Sequence, residues 1–156
     1  MPQSLSPTLE REIAEGLPRL AGARIAGTLP VSERLLNELI PRGAPVSELR
    51  LLDDDQFAVT GSVWNLPRFQ VEARLVSVDL ELNVTLELQG HPLKRRAFEL
   101  VASRLPYVRR GPGRSLVVAA GALPAVARYR SVWRYLTHLA VRTRRGALVC
   151  DFAFSR

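Results

Sequence analysis

The rhythm of apolar and polar positions along this chain changes period several times, and each change marks an element. Residues 6–20 open with a helical period: Leu9, Ile13 and Leu17 recur every four residues. Ser6 offers a cap, Pro7 suits the first turn, and Glu10, Glu12 and Glu15 favour the positive end of the helix. Gly16 and Pro18 end it, so 1–21 is expected as a loosely attached helical segment ahead of a single α+β domain over 22–156. Arg24 to Val31 reads as a short strand. Ser32 then caps a helix over Glu33–Ile40, with Val31 set to staple onto Leu36 and with Leu35, Leu36, Leu39 and Ile40 as the buried side. Pro41 and Gly43 stop it.

From Val46 the period becomes two. Leu49 and Leu51, then Phe57, Val59 and Gly61, flank an Asp53-Asp54-Asp55 corner and predict a hairpin. A second pairing runs through Val63 and a turn near Asn65–Pro67. The strongest signal follows: Phe69, Val71, Ala73 and Leu75 alternate with polar residues, the phase flips, and Val76, Val78, Leu80, Leu82, Val84, Leu86 and Leu88 alternate in turn. A one-residue flip predicts a β-bulge or tight turn near Leu75–Val76. One straight strand over this run would reach roughly 65–70 Å at ~3.3 Å per residue, so a bend or reversal is called for. Gly90 and Pro92 break the strand. Leu93, Ala97, Leu100, Val101 and Leu105 return to helical spacing, Arg109 to Arg114 form a basic turn, Leu116–Ala120 reads as a buried strand, and Pro124 to about Leu136 as a helix. A hairpin closes the chain, turning at Arg144-Arg145-Gly146, with Leu148, Cys150, Phe152 and Phe154 on one face. The fold class is α+β: a long, bent, strongly twisted antiparallel sheet curled around one or two helices, with those at 33–40 and 124–136 as its cover.

Composition narrows the function classes. Of 156 residues, 47% are apolar and 24% charged, ordinary for a folded domain. Cys150 is the lone cysteine, no basic-then-apolar leader opens the chain, and no run approaches ~18 apolar residues. A cytoplasmic, reducing setting is expected, with any membrane contact peripheral. Charge is unevenly spread: residues 1–93 hold 8 Arg against 13 acids (−5), while 94–156 hold 13 Arg and Lys94 against 2 acids (+12), summing to +7. Such asymmetry points to an anionic partner, or to pairing between the two halves in the fold.

Catalytic chemistry is not legible. His91 and His138 lie far apart without ligand-spaced partners, and three consecutive aspartates point different ways, so no metal and no cofactor is expected. Cys150 falls within an apolar face, where a thiol behaves as a small hydrophobe. No nucleophile elbow, P-loop or dinucleotide fingerprint is present, and the chain reads as a binding protein, not an enzyme.

The segment Gly22–Pro41 (GARIAGTLPVSERLLNELIP), the long amphipathic strands with a bulge, and the closing hairpin from Leu139 to Phe154 together resemble a half-module of the tubular lipid-binding superfamily, which includes the BPI-like and SMP-like domains. The resemblance spans roughly 22–154 and lies in pattern. It implies a curled sheet around a helix with a groove for acyl chains. On the residues themselves, Phe69, Val71, Leu80, Leu82, Val84, Leu86 and Leu88 on the sheet, with Leu36 and Leu39 on the helix, are the candidate groove. Arg109, Arg110, Arg114, Arg128, Arg130 and Arg134 are the candidate anionic-headgroup contacts. The expected function is therefore non-catalytic binding of a lipid or similar amphipath. Two alternatives stand beside it. A nucleic-acid module would use the same arginines with Tyr129, Trp133 and Tyr135 as stacking platforms. A ligand-free scaffold would form a homodimer through a sheet edge or apolar patch.

Overall fold

A computed structural model describes Arg11, Glu15, 22–62 and 67–155. The stripe Leu9, Ile13 and Leu17 and the turn at Asn65 fall outside these residues. The described residues hold nine strands: β1 (Arg24–Ser32), β2 (Val46–Leu51), β3 (Gln56–Gly61), β4 (Phe69–Val78), β5 (Asn83–Leu88), β6 (Val108–Arg110), β7 (Ser115–Ala119), β8 (Leu136–Arg144) and β9 (Ala147–Ser155). Among the residues from 22 onward that are described, the α-helices are α1 (Glu33–Glu38), α2 (Pro92–Ala102), α3 (Pro124–Ala127) and α4 (Arg130–Trp133). All strand pairs are antiparallel, in one sheet of order β1-β9-β8 and another of order β2-β3-β4-β5-β7-β6. The chain is thus α+β, as expected, with its strands divided between two sheets and neither closed into a barrel.

Register explains the core. Paired residues share a face, and the pairs Leu51–Phe57–Ala73–Leu88 and Leu49–Val59–Val71 place every large apolar side chain of these rows on one side of the six-stranded sheet. Leu75–Leu86–Leu116 and Val84–Val118–Val108 extend the same face to β6. Leu88, Leu116, Val71 and Ala73 are almost wholly buried there. The phase flip after Leu75 is a bulge: the register shifts between Leu75 and Ser77, and the extra residue, Val76, is 55% exposed. A second feature corrects the sequence reading. The alternation from Val76 to Leu88 is not one strand. Asp79 turns the chain by accepting from the Glu81 and Asn83 N–H groups (2.9 Å each), and Leu82 takes a positive φ of 62° to close the hairpin loop over residues 79–82.

Two cross-strand glycines accommodate aromatic rings. Phe69 lies opposite Gly61, where a Cβ would come within 2.9 Å of the ring's Cζ, and Phe152 covers Gly27 in the same way at 3.4 Å. Phe69 also meets Phe98 of α2 edge-on, centroids 6.4 Å apart.

Sheet edges leave unpaired backbone groups, and this chain closes several of them locally. At β2, the Asn37 side chain of α1 imitates a strand: its Nδ2 donates to Leu49 O (2.9 Å) and its Oδ1 accepts from Leu49 N (2.7 Å). One helical turn earlier, Glu33 accepts from Leu51 N (2.8 Å). At β8, the aspartate corner performs the same task. Asp55 accepts from Thr143 N (3.0 Å) and Asp53 from Arg145 N (3.1 Å), while the Thr143 hydroxyl donates to Leu52 O (2.6 Å). The corner is therefore the suture between the two sheets. Asp54 and Asp55, at φ 58° and 60°, form the tight turn that aims it. β6 is only three residues long. β1 is exposed almost throughout and is interrupted by Pro30, which lacks an N–H.

The expected helix over 124–136 is also corrected. It is two four-residue helices broken at Arg128–Tyr129, where the Trp133 indole turns back to donate to Val126 O (3.1 Å). The helices over the six-stranded sheet's apolar face are α1 and α2, not this segment. Replacing Gly61 by Ala is expected to cost about 1–3 kcal/mol in chemical denaturation, with part recovered when Phe69→Leu is added. Thr143→Val, which strips the suture of its hydroxyl and leaves Leu52 O unpaired, is expected to cost about 1–3 kcal/mol in the same assay.

Candidate functional site

Beneath α1 and α2 the apolar face does not close completely. A cavity of about 300 Å³ lies between Leu36, Leu39 and Ile40 on one side and the sheet residues Leu49, Val59, Leu75, Val84 and Leu86 opposite. Phe98 and Ala102 bound it from α2, and Leu105, Tyr107, Val108 and Leu123 from the segments beyond. Leu148 and Thr143 reach in from the three-stranded sheet. Among these side chains only Thr143 and Tyr107 carry a polar atom, and the Thr143 hydroxyl is already spent on Leu52 O. Such walls select apolar matter by exclusion of water.

Of the groove residues expected from sequence, Leu36, Leu39, Val84 and Leu86 line this cavity. Phe69, Val71 and Leu88 share its face but belong to the packed core beside it. Leu80 and Leu82 lie elsewhere: they sit in the β4–β5 turn, beside a separate depression with Arg130, Trp133 and Arg134. The sequence reading missed Leu49, Val59 and Leu75, although their alternation marked them, because no register was available to bring β2 and β3 to the same place. Leu105 was marked by helical spacing but not as a groove residue, and Tyr107 and Leu123 lie in irregular segments.

The candidate headgroup arginines fall into two groups. Arg109 and Arg110 lie on β6 and Arg114 in the turn after it. Arg110 pairs with Glu99 of α2 at 3.2 Å, and Arg95, Arg96 and Arg114 gather round the same small depression. The Arg95 Nε is buried without a hydrogen-bond partner. Arg128, Arg130 and Arg134 lie on or beside α3 and α4. There Arg128 lies over the Tyr129 ring and donates to its hydroxyl, and Arg134 does the same with Tyr135 (2.6 Å to the hydroxyl). Trp133 packs on Phe154, centroids 6.0 Å apart. The three aromatics that could stack on bases are thus each engaged within the chain.

Around the site, titration is governed by local hydrogen bonds. Burial raises the Cys150 thiol above its ordinary value, with the Asp151 charge adding to it, and a raised thiol is a poor nucleophile. Asp151 is held low by the Thr28 hydroxyl (2.6 Å) and by Arg142 (3.1 Å). At Asp79 slight desolvation opposes the shift, but hydrogen bonds from Asn83 and Glu81 and the charge of Arg109 lower it below 3.8. Among the described residues no cluster of three His, Cys, Asp or Glu has metal-binding geometry, and no helix is long and apolar enough to cross a membrane.

No family model matches the chain, and no curated protein or solved structure is significantly similar to it.

Asp79 supports a pH test. A carboxyl lowered on folding stabilises the native state above its unfolded pKa and loses that contribution as pH falls through the folded value. Thermal melts should therefore show the wild type losing more stability than Asp79→Asn on going from neutral pH into the range below about 4. At neutral pH the variant should be the less stable of the two.

Proposed function

We propose that this chain is a non-catalytic binder of a lipid or other amphipathic ligand, whose apolar part occupies the cavity between α1, α2 and the six-stranded sheet. The observation that carries this reading is the wall itself: an open recess of about 300 Å³ between α1, α2 and the sheet is bounded almost wholly by aliphatic and aromatic carbon, and an apolar surface of that extent facing solvent marks a ligand or partner site. The volume stands at the lower end of the ~300–1,000 Å³ usual for small-molecule sites, which suits a single acyl chain better than a bulky two-chain lipid. Each methylene withdrawn from water contributes ~0.8 kcal/mol, so a chain of a dozen would gain on the order of 10 kcal/mol before the costs of association. The six-stranded sheet then acts as the curled wall that the resemblance to tubular lipid-binding domains implies, and Arg95, Arg96, Arg110 and Arg114 supply positive charge beside α2 for an anionic head. In this reading the protein works in the cytoplasm, where Cys150 stays a thiol.

The assembly alternative has its own support, in the half-uncovered apolar face of the three-stranded sheet, where Ile25 and Leu29 are 46% and 54% exposed beside Phe152 and Cys150. Filling the cavity separates the two readings. Val84→Phe projects into the site and should reduce uptake of a fluorescent fatty acid about tenfold or more while leaving the melting temperature within a few degrees. Leu80→Ser, outside the cavity, should leave uptake unchanged. Equal uptake by wild type and Val84→Phe would remove the cavity as the ligand site.

A further inference from the structure

Helix α2 has two apolar sides. The inner one is accounted for: Phe98, Val101 and Ala102 are buried, and Phe98 and Ala102 bound the cavity. The outer one is not. Leu93 and Leu100, seven residues apart and so on the same side of the helix, are each 70% exposed, with exposed Ala97 between them. An isolated surface leucine is unremarkable, but two such side chains in one stripe on an eleven-residue helix are not scattered exposure. The surround is cationic. Lys94, Arg96 and Arg104 are exposed on the same element or just after it, and Arg110 and Arg114 approach from the β6–β7 hairpin. The one carboxylate in the group, Glu99, is held by Arg110.

We propose that this outer face of α2 is a docking surface for an anionic lipid bilayer. Two protruding leucines ringed by guanidinium groups match the chemistry of an interfacial helix, whose apolar side chains enter the headgroup region while its cations meet lipid phosphates. A nucleic-acid partner would use the arginines but would leave Leu93 and Leu100 facing water or phosphate, so the bilayer accounts for more of the surface. The inference deepens the lipid-binding reading and rests on it for its purpose: the helix that touches the bilayer outside is the wall of the cavity inside, so a docked molecule would hold its cavity one helix diameter, about 10 Å, from the membrane surface.

The test is flotation of the full chain with vesicles of phosphatidylglycerol and phosphatidylcholine in equal parts, against phosphatidylcholine alone. Wild type should float with the mixed vesicles, be released by high salt, and stay behind with phosphatidylcholine alone. The double variant Leu93→Ser, Leu100→Ser should lose about tenfold or more in apparent vesicle affinity, yet melt as wild type does and take up the fluorescent fatty acid normally without vesicles. Undiminished flotation of the double variant would overturn the proposal. So would a vesicle-free dimer of wild type that the double variant dissolves, since the face would then belong to a second copy. Wild type that floats without taking up fatty acid would uphold docking and remove the cavity reading. Uptake without flotation would do the reverse.

Discussion

The arrangement depends on how α1 is attached. A six-residue helix cannot persist on its own propensity, and this one is not held by a buried face, since none of its residues is fully buried. It is fixed by its polar side chains, Glu33 and Asn37, one turn apart, which complete the hydrogen bonding of β2's outer edge. Ser32 supplies the cap, accepting from Leu35 N at 3.2 Å. A helix pinned by its side chains to a strand edge overhangs the sheet at a set distance. Leu36 then packs on the margin of the core while Leu39 stays 36% exposed, and the recess lies between them and the sheet.

The same economy joins the sheets. The aspartate corner was legible in sequence as a turn, but its partner was not, because Thr143 and Arg145 lie some ninety residues away and donate backbone groups that no side-chain pattern reveals. Local signals were otherwise informative where one physical rule dominated. Two-residue alternation found β4 and the closing hairpin, the phase flip found the bulge, and Ser32 with Pro41 bracketed α1. Alternation misled between Asp79 and Leu82, where an apolar–polar rhythm continues through a hairpin loop. Leu80 and Leu82 obey the pattern of a strand while a side-chain carboxylate turns the backbone against it. The segment 124–136 misled in the opposite sense: helical spacing was present, but the break at Tyr129 let Trp133 reach Phe154.

The charge asymmetry also takes a physical form. The acidic half does not simply neutralise the basic half. Asp53 and Asp55 are committed to backbone N–H groups at the suture and Asp79 to those of the β4–β5 turn, while the ion pairs Arg110–Glu99 and Arg142–Asp151 both lie within the basic part. Much of the positive field is left facing outward, on α2, the β6–β7 hairpin and α4, where it would steer the molecule toward anionic surfaces.

β1 is the edge that nothing in the described chain covers. Its nine residues present a row of backbone groups to solvent, yet Pro30 breaks the donor series near one end and Arg24 sets a charge at the other. An incoming strand could zip only part of the way before meeting a missing N–H. A proline on an open edge is one of the devices by which a strand discourages the addition of another, and Pro30 interrupts the row of donors that β1 would otherwise offer.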